Sequence, residues 1–176
     1  MTATDPPGRV GTPVLRADGS QADLIYATRE EAKLRMAGQE TFKMAVARLS
    51  QVTAEALAAA GSDVDEIDLF VYHQANRRIL QAVGKRLELP ADRVVDVIGD
   101  YANTSAASIP IALARAAADG RLEPGQRLLL AAFGAGFTWG ALVVDWGLDG
   151  RTPPGAGELQ PESDERETKE GPRSHA

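Results

Sequence analysis

Residues 67–90, IDLFVYHQANRRILQAVGKRLELP, change hydrophobic period once, and that change decides the fold class. Ile67 to Tyr72 is a short apolar run with β-branched and aromatic members, which predicts a strand. Ile79, Leu80, Val83 and Leu87 then recur at helical spacing until Pro90 stops them. A strand followed at once by a helix is the unit of an α/β fold, and His73 stands at the strand's C-terminal exit, where open α/β sheets place ligands.

On the N-terminal side, Thr28 and Glu31 have capping-box spacing, and Phe42, Val46, Leu49 and Val52 repeat at helical intervals up to Gly61, a C-cap. One helix, kinked at Gly38, is expected over most of 28–61. On the C-terminal side, Val94 to Ile98 is a further strand candidate. Thr104 to Asp119 is almost wholly small or apolar, broken only by Arg115. A helix apolar on every side needs cover on every side, so it is expected between layers, as the buried centre of the fold. Arg127–Phe133 and Phe137–Trp146 predict a hairpin joined by Gly134-Ala135-Gly136, and Leu128, Leu129 and Leu130 lack alternation, which predicts burial on both faces.

The chain has 176 residues, 44% of them hydrophobic, enough for one substantial core. That core is expected over residues 13–148. Residues 1–12, with Pro6, Pro7, Gly8 and Gly11, are expected to be irregular. Residues 149–176 carry four Pro, four Gly and eleven charged side chains, with Leu159 the single large apolar one, which predicts a disordered, solubilising tail. A net charge of −6 argues against a nucleic-acid partner, since phosphate neutralisation needs clustered Lys and Arg. No run of about 18 apolar residues occurs and the N-terminus lacks a signal-peptide pattern, so no membrane partner and a cytoplasmic location are expected. There is no cysteine, which excludes disulfides, thiolate metal ligands and a thiolate nucleophile from this chain.

Two histidines are present and His175 falls in the tail, so imidazole chemistry rests on His73. A lone histidine is more often structural than functional. The neighbouring Gln74 and Asn76 make a polar cluster at the strand exit, although N-capping of the next helix alone accounts for Asn76. Asn103, Thr104 and Ser105 open the apolar helix; capping explains one of them, and Asn103 could instead aim an amide donor at a developing oxyanion. Ser105 and Ser108 lack the nucleophile-elbow pattern, which argues against hydrolase chemistry. Gly134-Ala135-Gly136 is either a plain turn or a place where backbone N–H groups approach a substrate. Arg77 and Arg78 are either solvated charges or contacts to a phosphorylated cofactor or an acidic carrier protein.

In order along the chain, MAGQETFKMAV (36–46), HQANRRI (73–79), NTSAASIP (103–110), GRLEPGQ (120–126) and FGAGFTWGALV (133–143) resemble the C-terminal half of ketoacyl-carrier-protein synthase III. The resemblance runs from about Pro13 to Trp146. It implies a thiolase-like fold: one layered α/β half, with a mixed sheet, a buried central helix and covering helices. It further implies that His73 and Asn103 are catalytic, holding the malonyl thioester oxygen while decarboxylation generates an enolate. By the same resemblance Ala135 supplies an oxyanion-hole backbone N–H, Asn76 borders the pantetheine channel, and Arg78 meets the acidic carrier protein. Ala102 stands where many members carry glycine.

The partners so implied are acyl-CoA and malonyl-acyl carrier protein, with no metal and no resident cofactor. The family's cysteine nucleophile belongs to its N-terminal half, so a cysteine-bearing half or a full-length synthase is expected as partner, and the chain alone is expected to be inactive and to self-associate. A reading from a different class is a non-catalytic module that pairs with a synthase or docks a carrier protein; a third is an unrelated α/β domain.

Overall fold

The computed structural model describes residues 8–30 and 32–147. Residues 149–176, expected as a disordered tail, lie outside the described residues. The strands are β1 (Arg9–Val10), β2 (Val14–Ala17), β3 (Ile25–Ala27), β4 (Leu34–Met36), β5 (Leu69–Tyr72), β6 (Arg127–Gly134) and β7 (Thr138–Asp145). The helices are α1 (Gly38–Ala60), α2 (Arg77–Arg86), α3 (Ile98–Tyr101) and α4 (Ser108–Ala118). No helix among the described residues is long and apolar enough to cross a membrane.

A mixed sheet runs β1-β7-β6-β5, with β2 also on β7. β5 pairs parallel with β6, Leu69 opposite Leu128 through Tyr72 opposite Ala131, and β6 pairs antiparallel with β7. Alternation sorts β5 between two cores: Phe70 and Tyr72 join Leu129, Ala131 and Phe133 under α1 and α2, while Leu69, Val71 and Leu128 pack with Ala112 and Ala116 of α4. Burial on both faces, expected of β6 from its missing alternation, is realised at Leu128 and Leu129, while Leu130 is half-buried. The layering is helices, sheet, helix.

α1 buries Ala45, Leu49, Val52 and Ala56, one face at helical spacing, and the small alanines let it lie close on the sheet. Gly61 ends it in the left-handed conformation, φ 61, with its N–H on Ala58 O and the Ser62 N–H on Leu57 O, which are the carbonyls a helix end leaves bare. Gly140 permits another close approach, since a Cβ there would sit 2.9 Å from Val14 O where β2 crosses β7.

Four expectations need correction. Residues 28–30 and 32–36 are not helical: β3 and β4 pair antiparallel, Ile25 opposite Met36, and Thr28 O accepts the Ala32 N–H in the connecting turn. α1 begins only at Gly38, because strand pairing of Ile25–Ala27 outweighs a local capping signal. Arg9 and Val10, within the stretch expected to be irregular, pair with Asp145 and Val144. Val94–Ile98 is not a strand beyond a single bridge between Phe70 and Val94; the side chain of Gln74 takes the place of a ladder, as described below. Finally, the segment from Thr104 is a 3-10 turn at Ser105–Ala107 followed by α4, and α4 fully buries only Ser108, Ala112 and Ala116. Its other side has no cover from the described residues, so burial on every side is not realised within this chain.

Candidate active site

The five residues singled out in the sequence converge. His73, Asn103, Ala135, Asn76 and Arg78 all line one cavity of about 1070 Å³, whose walls are otherwise largely apolar, among them Leu15, Ile25, Met36, Phe42, Ile79 and Leu142. Concave apolar walls with a few convergent polar groups are what a small-molecule site requires. The β3–β4 hairpin contributes Leu34 and Met36, 71% and 59% exposed, to its rim.

His73 is held at backbone and ring. Its N–H donates to Ala131 O at 2.8 Å, extending the β5–β6 pairing one residue beyond the strand. Its Nδ1 lies 2.6 Å from Ser108 Oγ, at the start of α4. The same hydroxyl accepts the Gln74 N–H at 3.2 Å. Burial pushes the imidazole below its ordinary pKa of 6.5, because desolvation disfavours the charged ring. Among the described residues no Asp or Glu lines the cavity to oppose that effect. A neutral imidazole at neutral pH follows.

Asn103 sits between two residues with positive φ, Ala102 (φ 54, ψ −160) and, two positions on, Ser105 (φ 53). The Ser105 N–H donates to Asn103 Oδ1 at 2.9 Å. Since a backbone N–H can only donate, the atom facing it is the carbonyl oxygen, and the remaining Asn103 group is the Nδ2 donor. Asn76 behaves alike: its Oδ1 caps α2 by accepting the Arg78 N–H at 2.9 Å, so capping and cavity lining coexist. Ala135, at the tip between β6 and β7, is not among the non-glycine residues with positive φ, so alanine costs this turn nothing there. Its carbonyl accepts the Thr138 hydroxyl at 3.2 Å.

Of the two arginines, Arg77 is committed to Asp96, Nε to Oδ2 at 2.6 Å, and borders α3 and not the cavity. Arg78 lines the cavity and is exposed. Two residues that sequence reasoning undervalued complete the site. Ser108, whose sequence context lacks a nucleophile elbow, is the hydrogen-bond partner of His73. Gln74, 1% exposed, uses its Nε2 on Tyr72 O and Val95 O, at 2.8 and 3.1 Å, and its Oε1 on the Val97 N–H at 2.9 Å. It ties the strand carrying His73 to the segment leading to Asn103. An amide beside His73 was visible in the sequence, but a partner 35 residues away was not.

Residues 57–146 match the family model described as 3-Oxoacyl-[acyl-carrier-protein (ACP)] synthase III C terminal. The chain is 51% identical over 136 residues to a beta-ketoacyl-[acyl-carrier-protein] synthase III of Rhizorhabdus wittichii, covering 74% of this chain and 43% of that protein. Among solved structures, a synthase III of Thermus thermophilus superposes with a TM-score of 0.74 at 43% identity, covering 78% of this chain and 46% of that one. One of Aquifex aeolicus gives 0.77 at 38% identity, covering 82% and 47%. The chain thus spans less than half the length of the relatives it matches, all through their shared thiolase-type layered fold. With the family model spanning the strand, helix and turn segments that carry His73, Asn103 and Ala135, the chain belongs to the 3-oxoacyl-[acyl-carrier-protein] synthase III family, in its C-terminal part.

Proposed function

We propose that this chain supplies the enolate-stabilising half of a decarboxylative condensing centre, acting on a malonyl thioester carried by an acyl carrier protein. The observation that carries the reading is that His73 and Asn103, from separate elements, line one cavity, with Asn103 Oδ1 engaged by the Ser105 N–H and His73 Nδ1 by the Ser108 hydroxyl. Asn103 then offers a ligand its Nδ2 donor, and His73, in its Nε2-protonated tautomer, offers a second. Two convergent donors suit an oxygen that gains negative charge: the malonyl carbon–carbon bond breaks, CO2 leaves, and the electron pair passes onto the thioester oxygen as an enolate. That enolate carbon attacks the acyl thioester of the partner nucleophile and expels its thiolate, giving the 3-oxoacyl product.

In this reading the Ala135 N–H helps hold the oxyanion of the acyl thioester, Asn76 Nδ2 borders the path of the pantetheine arm, and exposed Arg78 meets the acidic carrier. The acyl group arrives from acyl-CoA. The nucleophile must come from elsewhere, because the chain has no cysteine. A cysteine-bearing N-terminal segment of the same family, or a full-length synthase, is the partner the chemistry requires, and self-association through the bare side of α4 is the expected behaviour without it.

The test is reconstitution. The chain is mixed with the N-terminal segment of a related synthase, acyl-CoA and malonyl-carrier protein, and CO2 release and 3-oxoacyl product are followed. Product from the mixture and none from the chain alone is expected; product from the chain alone, or a stable complex without product, rejects the reading. In the second case a non-catalytic binding module, favoured by the missing thiol, takes its place.

A further inference from the structure

We infer that Ser108 is a positioning residue that sets the tautomer of His73, donating its hydroxyl proton to Nδ1 so that Nε2 carries the hydrogen and is the donor available to the cavity. The argument is hydrogen-bond accounting around one buried oxygen. Ser108 Oγ has one proton to give and two lone pairs to offer. One lone pair is taken by the Gln74 N–H, which can only donate. The ring nitrogen 2.6 Å away either accepts the hydroxyl proton or donates its own.

If Nδ1 carried the hydrogen, Ser108 Oγ would accept twice and its proton would need another acceptor. None is bonded to it among the described residues, and at 2% exposure water is not a ready substitute. A buried unmet hydroxyl proton is costly, and the other tautomer satisfies it. Elsewhere in the chain a helical serine does bond its own helix, Ser50 Oγ donating to Val46 O at 2.8 Å, whereas Ser108, in the first turn of α4, turns to the imidazole. The helix start thereby reads the strand end: α4 fixes the ring of His73 through the hydroxyl and the backbone of Gln74 through the same atom.

The tautomer stands on this geometry alone; only the role of the Nε2 donor toward a thioester oxygen rests on the function proposed above. The experiment uses the full chain labelled with 15N, with two-bond proton–nitrogen correlation of the imidazole rings above neutral pH. His73→Gln assigns the His73 signals against His175. The expected wild-type spectrum has Nδ1 in the unprotonated range and Nε2 in the protonated range, as one tautomer. Ser108→Ala should raise the Nδ1–H population several-fold, moving both nitrogens toward averaged positions, and Ser108→Thr, which keeps a hydroxyl, should restore the wild-type pattern. A wild-type ring protonated at Nδ1, or an Ala variant with an unchanged tautomer ratio, overturns the inference. Should Ser108→Ala fail to fold, the wild-type and Ser108→Thr spectra still decide it. Since no substrate is present, this result and that of the reconstitution can disagree, and each then identifies which statement failed.

Discussion

Gln74 Oε1 accepts the Val97 N–H at 2.9 Å, and through that bond a side chain completes what a sixth strand would have supplied. The segment beyond β5 approaches with a single bridge at Val94 and a Val95 N–H bond to Phe70 O, and Gln74 then takes over from the backbone. Its amide is fully used and almost fully buried.

Gln74→Ala should therefore be among the more damaging single changes outside the apolar cores. It strands the Val97 N–H and the Tyr72 and Val95 carbonyls, and a loss of about 2–4 kcal/mol is expected, since each buried unmet group costs about 1–3 kcal/mol and some rehydrate. Urea denaturation of the variant measures it. A loss under about 0.5 kcal/mol would mean water replaces the amide freely.

Ala102 holds φ 54 with ψ −160, a region that glycine alone enters without strain. Ala102→Gly should stabilise the chain by about 1 kcal/mol, the strain relieved being of order 1–3 kcal/mol and the added freedom of the unfolded glycine taking back about 0.5–1. Thermal or urea midpoints check this. A lower midpoint would show that Asn103 is held without strain from its neighbour.

The His73 imidazole has its pKa lowered by burial from 6.5. Between that value and the folded-state pKa the unfolded chain binds a proton that the folded chain refuses, so stability is full above about pH 6.5 and declines as pH falls toward the lower value. Arg78 lines the same cavity, and among the described residues no carboxylate there favours the imidazolium. In His73→Gln this component vanishes. Urea midpoints of the two proteins from about pH 8 to about pH 5 should differ by a constant above 6.5 and turn against the wild type below it. Asp18 and Asp145, held low by hydrogen bonds from Ser20 and Arg127, lose their contribution at more acid pH in both proteins and cancel in the comparison.

In the reconstituted mixture, Asn103→Ala should lower the rate of malonyl decarboxylation about 100- to 1000-fold, the usual effect of removing one donor from a developing oxyanion. Far-ultraviolet circular dichroism should be unchanged, because Asn103 is exposed and supports only the local Ser105 turn. A rate within about threefold of wild type would remove Asn103 from the chemistry.

What the sequence determined by itself was whatever depends on neighbours along the chain. The period change at Tyr72, the end of α1 at Gly61, the turn at Gly134-Ala135-Gly136 and the family motifs around His73 and Asn103 were all legible, because strand alternation, helix termination and tight turns are set within a few residues. The errors share one cause. Thr28 looked like a helix cap until Ile25–Ala27 found its pairing partner in β4, and Val94–Ile98 looked like a strand until Gln74 replaced the ladder. The composition of residues 104–119 showed an apolar helix but not which of its sides the described residues would cover. Likewise the bond between His73 and Ser108 joins a strand exit to a helix start 35 residues later. Such contacts are decided by how α4 docks on the sheet, where burial of Ala112 and Ala116 against Val71 and Leu128 sets the distance, and no local pattern encodes that docking.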